Sequence, residues 1–204
     1  MTLLAIDTSS TRGSVALLRD GALLLDESFS ADRTHSATLF TVLERVRQLA
    51  EPDTIAVGLG PGSFAGIRIA ISAAIGFQIA LGCKLVGLPS MAALDTAETH
   101  FCAVGDARRE TFYFTRVEDG RCVDGPRLVT AEELRALDVQ FASVPFFTPV
   151  ELPELPRAVV ALPLARRLAE LAAAGTSIVA EDALEPLYLR EVHITWPKSA
   201  PPPR

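Results

Sequence analysis

Apolar positions fall into short blocks along the chain, and the spacing within each block predicts its secondary structure. Thr2-Leu3-Leu4-Ala5-Ile6 is an unbroken apolar run of strand length, followed by the polar turn Asp7-Thr8-Ser9-Ser10-Thr11. Gly13 to Leu18 and Ala22 to Phe29 read as two more strands, joined by the turn signal Arg19-Asp20-Gly21. Leu39, Val42, Leu43, Val46, Leu49 and Ala50 then recur at helical spacing, which predicts an amphipathic helix over residues 35–50. A strand over Thr54–Leu59, a helix over Gly66–Leu81, a strand over Lys84–Leu88 and a helix over Pro89–Thr99, with Pro at its start, complete the first half.

The second half begins again with strands, over Phe101–Gly105, Thr111–Val117 and Arg121–Val129. Thr130-Ala131-Glu132-Glu133 has capping-box spacing and opens a short helix. Val139–Val144 reads as a strand, and Phe146–Pro163, with prolines at 149, 153, 156 and 163, as a loop. Leu164–Ala174 reads as a helix stopped by Gly175. Three strands, helix, strand, helix thus occurs twice without any repeat in sequence. This order predicts an α/β protein of two lobes, each a mixed sheet with βββαβα order covered by helices. The first lobe is placed at 1–102, the second at 103–195, and a Pro-rich disordered tail at 196–204.

With 49% hydrophobic and 22% charged residues, the 204-residue chain can bury a sizeable core. Its formal net charge of -6 argues against a broad basic surface for nucleic acid, so any such contact needs a local patch or a more basic partner. Cys83, Cys102 and Cys122 are odd in number and lack metal-ligand spacing; they read as reduced, buried thiols of a cytosolic protein. The N-terminus lacks a basic stretch and Asp7 interrupts its apolar run, unlike a signal peptide. The longest apolar run, Ile69–Cys83, is shorter than the ~20 residues of a spanning helix. A cytoplasmic chain with no membrane association is expected.

Gly60-Pro61-Gly62-Ser63-Phe64-Ala65-Gly66-Ile67-Arg68 separates the fourth strand from the second helix. A helix starting here aims free N–H groups at whatever lies over the loop, so the segment is either an anion site or a plain strand-to-helix turn. It lacks the Lys of a Walker loop and the glycine spacing of a dinucleotide fingerprint. The helix that follows is apolar nearly all round. Ile67, Ile71, Ala74, Ile75, Gln78 and Ile79 lie on one side, and Ile69, Ala70, Ala73, Phe77, Ala80 and Leu81 on the other. Its outer side is therefore expected to be covered, by a partner or by the chain's own elements.

Several of these segments together resemble one family. Leu4-Ala5-Ile6-Asp7-Thr8-Ser9 resembles the first strand and phosphate turn of the acetate/sugar kinase, Hsp70 and actin (ASKHA) superfamily. Arg33-x-His35-Ser36, the Gly60–Arg68 segment, Asp106-Ala107-Arg108-Arg109 and Pro186-x-Tyr188-Leu189-Arg190 complete a pattern similar to the bacterial TsaB (YeaZ) proteins, over about Leu3 to Arg190. The resemblance implies the two-lobed actin/Hsp70/sugar-kinase-like fold. It implies a non-catalytic subunit that pairs with a TsaD-like paralogue in forming threonylcarbamoyladenosine beside the anticodon of tRNA. A TsaE-like ATPase would dock on that pair, tRNA would be met indirectly through the complex, and a homodimer would form when the chain is alone. The partner interface is placed at His35, Leu39, Val42, Leu43, Val46, Ile71, Ile75, Gln78 and Ile79. Family members commonly carry Thr at the position of Ala65 and Lys-Gly in place of Ile75-Gly76.

No cofactor is expected beyond weak ATP or ADP binding. The residues for an anion or loop site are Asp7, Thr8, Ser9, Gly60, Gly62, Ser63, Gly66 and Arg68. In a nucleotide-binding relative Asp7 would hold a metal-bound water; otherwise the turn satisfies its own backbone. The second reading is favoured, because Gly105-Asp106-Ala107-Arg108-Arg109-Glu110 carries two arginines where an opposing phosphate turn needs small residues. Arg68, at the unfavourable end of a helix dipole, requires an anionic partner, for which Asp7 is the first choice. His35, His100 and His193 form no ligand pair, and Ser63 lacks nucleophile-elbow spacing, so neither a metal nor a catalytic residue is assigned. Rival readings are a small-molecule kinase or ATPase, turning over nucleotide unaided, and a metalloprotease.

Overall fold

The computed structural model describes residues 1–30 and 35–189. Arg33, Arg190, His193, the predicted tail and the side chains of His35 and Ser36 lie outside the described set.

Strand β1 (Thr2–Asp7) is buried at every position because it runs through the middle of a sheet. It pairs antiparallel with β2 (Arg12–Arg19) and parallel with β4 (Thr54–Gly58). With β3 (Ala22–Ser30), β5 (Lys84–Leu88) and the two-residue β11 (Ala180–Glu181), the sheet runs β11-β5-β4-β1-β2-β3. One face carries Leu4, Ile6, Val15, Leu17, Ile55 and Val57, and packs beneath α1 (His35–Leu49) and α2 (Phe64–Leu81). The other face carries the small residues Ala5, Ala16 and Ala56, which let α4 (Ala165–Ala173) lie close through Ala165, Leu168 and Ala169.

A second sheet, β10-β9-β6-β7-β8, is built from β6 (His100–Asp106), β7 (Thr111–Glu118), β8 (Arg121–Thr130), β9 (Phe146–Thr148) and β10 (Val159–Val160). It repeats the strand permutation of the first, with β6 in the place of β1 and its parallel neighbour β9 in the place of β4. Helix α3 (Ala131–Gln140) starts on the predicted capping box: Glu133 N donates to Thr130 Oγ1 at 3.2 Å, and Thr130 N donates to Glu133 Oε2 at 2.7 Å. Two mixed sheets of one permutation make this the two-lobed actin-like arrangement.

Four expectations change. Residues 89–99 form only a 3₁₀ turn over Ser90–Ala93, after which the chain straightens and Leu94 bridges Pro163. Val139–Val144 is not a strand. Val139 and Gln140 finish α3, and the Arg157 guanidinium collects the carbonyls of Asp138, Phe141, Ala142 and Val144, which turns the chain. The predicted proline loop instead contains β9 and β10. The lobe boundaries also move. The second sheet begins at His100, before the predicted 102, and the chain past residue 163 returns to the first lobe through α4 and β11 rather than staying in a second lobe to 195.

Candidate functional site

The turn after β1 and the Gly-rich loop after β4 are locked together. Ser63 N donates to Ser9 O at 2.6 Å, and Thr8 Oγ1 donates to Gly66 O at 2.7 Å. A Cβ on Gly62 would strike the Ser9 carbonyl, and one on Gly66 the Thr8 carbonyl, so the glycines are there for close approach. From below, Gly60 N donates to Ser90 Oγ at 3.0 Å and Ser90 N to Gly60 O at 2.9 Å. Ser63 caps α2, accepting from Gly66 N at 3.3 Å, so the helix begins at Phe64, two residues before its predicted start.

This lock occupies the groups expected to hold an anion. Asp7, Thr8 and Ser9 are all buried. Asp7 Oδ1 accepts from Ser9 N at 2.9 Å and from Ser9 Oγ at 2.7 Å. Asp7 Oδ2 has no hydrogen-bond partner among the described residues, although the Ser90 hydroxyl faces it and eases its charge. Burial pushes the Asp7 carboxyl up, against those bonds. The turn thus satisfies Oδ1 from within and leaves Oδ2 without a bond. Arg68 does not pair with Asp7: its guanidinium is exposed and lies over the Phe64 ring, 5.1 Å from the centroid. Across the cleft, Arg108, Arg109 and Glu110 all take positive φ (67°, 55° and 58°) in the β6–β7 turn. Asp106 accepts from Arg108 N at 2.6 Å and pairs with its guanidinium at 3.3 Å. The β6–β7 turn thus carries two exposed arginines in place of the small residues of an opposing phosphate turn. Among the described residues no three His, Cys, Asp or Glu side chains converge on a metal-sized site. The three cysteines are unpaired thiols, and burial raises each, Cys102 to about 12.

The predicted interface residues divide. Leu39, Val42, Leu43, Val46 and Ile71 lie inside the first lobe's own core and cannot meet a partner. Gln78 donates to Asp182 Oδ1 at 3.3 Å, a contact within the chain. Ile75 and Ile79 face outward, Ile79 being 82% exposed. His35 opens α1. Sequence reasoning missed Phe40, 55% exposed one position beyond the inward stripe of α1. It also missed Ser90, hidden in the expected helix, and the meeting of Phe64 with Tyr188, which no spacing signals. By length and composition α2 could cross a membrane, but Gly66, Ile67, Ala70, Ile71, Ala73 and Ala74 are packed into the lobe.

The fold and the sealed loop define a two-lobed actin-like protein with a Gly-rich lock between its first and fourth strands. A family model described as TsaD, tRNA N6-adenosine threonylcarbamoyltransferase, matches residues 30–134. The tRNA threonylcarbamoyladenosine biosynthesis protein TsaB of Escherichia coli is 27% identical over 97% of this chain and 98% of its own. YeaZ from Pseudomonas aeruginosa superposes with a TM-score of 0.74 at 29% identity, covering 92% of this chain and 99% of that one. An uncharacterized protein of Mycobacterium leprae is 32% identical over 61% of this chain, and the match spans 37% of that relative's length. The chain belongs to the TsaB (YeaZ) family.

Proposed function

We propose that this chain is a soluble, cytoplasmic, non-catalytic subunit that pairs with a TsaD-like transferase and supports threonylcarbamoylation of the adenosine beside the tRNA anticodon. The observation that carries the reading is the outer side of α2. Arg68, Ser72, Ile75, Gly76, Ile79 and Ala80 face water, and Phe40 is exposed on the neighbouring helix α1. An isoleucine and a phenylalanine this exposed on adjacent helices suit a partner's apolar face. Ser72, Gly76 and Ala80 leave room for a helix to approach. The Thr8 and Ser9 hydroxyls, already spent on Gly66 O and Asp7 Oδ1, support the non-catalytic role. In the assembly, a TsaE-like ATPase docks on the pair and tRNA is met through the transferase. Without the transferase, the same helices pair two copies of the chain.

Ile79→Glu tests this. Burying an isoleucine is worth about 1.5–3 kcal/mol, so the variant should pair with the transferase at least about tenfold more weakly in analytical ultracentrifugation. A depletion strain carrying it should show less threonylcarbamoyladenosine in hydrolysed tRNA. Unchanged pairing would move the interface elsewhere.

A further inference from the structure

The last described residues run along the cleft between the lobes. Leu187 N donates to Leu59 O at 2.9 Å, which pins this segment beside the Gly-rich loop, and Leu187, Tyr188 and Leu189 all line the cleft. Residues 190–204 continue from its wall. The cleft has a volume of about 760 Å³ and presents two kinds of group. The first is aromatic. The rings of Phe64 and Tyr188 lie 5.7 Å apart at 42°, and the two residues are 49% and 46% exposed. These faces stand in water rather than fill a core. The second kind is hydrogen-bond donors. Tyr113 lines the cleft, is only 3% exposed, and its hydroxyl has no partner among the described residues. Burial keeps that hydroxyl protonated, hence a donor. A buried donor left unpaired is costly, so an acceptor is favoured there. Helix α2 begins at Phe64 on the cleft wall, so its first N–H groups have no intrahelical acceptor.

The sequence past Leu189 carries the complementary chemistry in Trp196-Pro197 and Pro201-Pro202-Pro203. Proline has no N–H, so such a segment brings carbonyl acceptors with few donors of its own. Consecutive prolines favour an extended helix without internal hydrogen bonds, which leaves those carbonyls free and costs little order on binding. Aromatic-lined grooves take segments of this kind. From Leu189 to Trp196 the chain can extend at most ~25 Å, more than such a cleft is wide. Tethered at the cleft wall, the segment is held at an effective concentration of about a millimolar, which no free peptide matches. We propose that the Pro-rich segment Trp196–Pro203 of this chain binds in its own interlobe cleft, its prolines laid on Phe64 and Tyr188 and its carbonyls accepting from the Tyr113 hydroxyl and the first N–H groups of α2. The site lies at the start of α2, and the exposed Ile79 near the other end of that helix. The inference therefore goes beyond pairing with a transferase and does not depend on it.

Trp196 is the chain's one tryptophan, so its fluorescence in the full chain reports on this segment alone. In the parent it should emit to the blue of the urea-unfolded chain and resist quenching by acrylamide. Covering the exposed half of either ring is worth about tenfold in the docking equilibrium. Phe64→Ala and Tyr188→Ala should therefore each shift the emission to the red and ease quenching, while Phe64→Tyr behaves as the parent. Tyr113→Phe should weaken docking about fivefold, as one lost hydrogen bond does. The triple variant Pro201→Ala/Pro202→Ala/Pro203→Ala should release Trp196 although no cleft residue has changed. Ile79→Glu should leave the shielding intact. All these variants should keep the far-UV circular dichroism of the parent, which separates an undocked segment from an unfolded chain. Shielding that is the same at every protein concentration assigns the segment to its own copy. Shielding that grows with concentration seats it on a second copy and overturns the proposal. So does a parent whose Trp196 is quenched as freely as in urea, or shielding that survives the Phe64→Ala/Tyr188→Ala double variant.

Discussion

Burial makes the Asp7 carboxyl easier to protonate in the folded chain than in the unfolded one. The consequence for stability has a definite sign. A group whose folded value is raised contributes most below its unfolded value, about 3.9 for Asp. That contribution is lost as pH rises through the folded value, after which the cost is constant. Asp7→Asn removes the ionisation and keeps an acceptor for Ser9. At neutral pH the variant should be more stable by about 1–3 kcal/mol, the cost of a buried polar group left without a partner. For a chain of this length that is a gain of about 2–4 °C in Tm per kcal/mol. The gain should vanish below about pH 4, where the parent is protonated too. Calorimetric scans across that range decide it; a parent as stable as the variant at neutral pH would mean the carboxylate has a compensating partner. At this scale the sequence was half legible. Side-chain bonds within the Asp7 turn follow from its Asp and Ser content, and they are present. The Arg68–Asp7 pair, expected from the helix dipole, is absent. Dipole arguments say a cation needs compensation but not that an aromatic face, Phe64, will supply it.

Helix α2 shows what composition leaves undecided about an element. Its apolar character was plain, yet its inward side was not, because nearly every position along it is apolar. Contacts outside the helix fix the rotation. Gly66 is pressed against the Thr8 carbonyl and Ser63 caps the first turn, which together place Ile67, Ala70, Ile71 and Ala74 inward. Ile71 and Ile79, assigned to one face from sequence, therefore lie in opposite surroundings, and the same substitution separates them. Ile71→Glu sets an unpaired carboxylate in the apolar core of the first lobe. It should cost more than about 3 kcal/mol, as buried charges without partners do. Ile79→Glu touches no core and should stay within about 0.5 kcal/mol of the parent. Urea midpoints of the two variants, measured on the chain alone, provide the comparison; equal midpoints would mean that α2 is rotated from this orientation.

At the scale of the whole molecule, residues 100–163 behave as an insertion into the first lobe. The repeat of three strands, a helix and a parallel strand was readable in the sequence and holds, with one strand permutation shared by the two sheets, but the helix predicted to close the second repeat packs on the first sheet. Which sheet the last helix covers was not readable. An amphipathic helix over 164–174 presents the same stripe whichever lobe receives it, and the missing counterpart of α2 after β9 left no sign beyond a run of prolines. The structure sends α4 back across β1 and β2, where Ala165 N donates to Ser14 Oγ at 2.9 Å and Arg166 reaches Asp26 at 3.8 Å. A fragment of residues 1–99 would thus expose Leu3, Ala16, Ala56 and Val86. It should bind a hydrophobic dye and show no cooperative melting. Joining 1–99 by a flexible linker to 164–189 should restore the covered sheet and a single sharp transition, because α4 and β11 return without the second lobe. Leu168→Asp in that joined chain should abolish the recovery, since Leu168 is buried against the sheet. Cooperative melting of 1–99 alone would show that the sheet tolerates an open face, and that α4 covers the first lobe without holding it together.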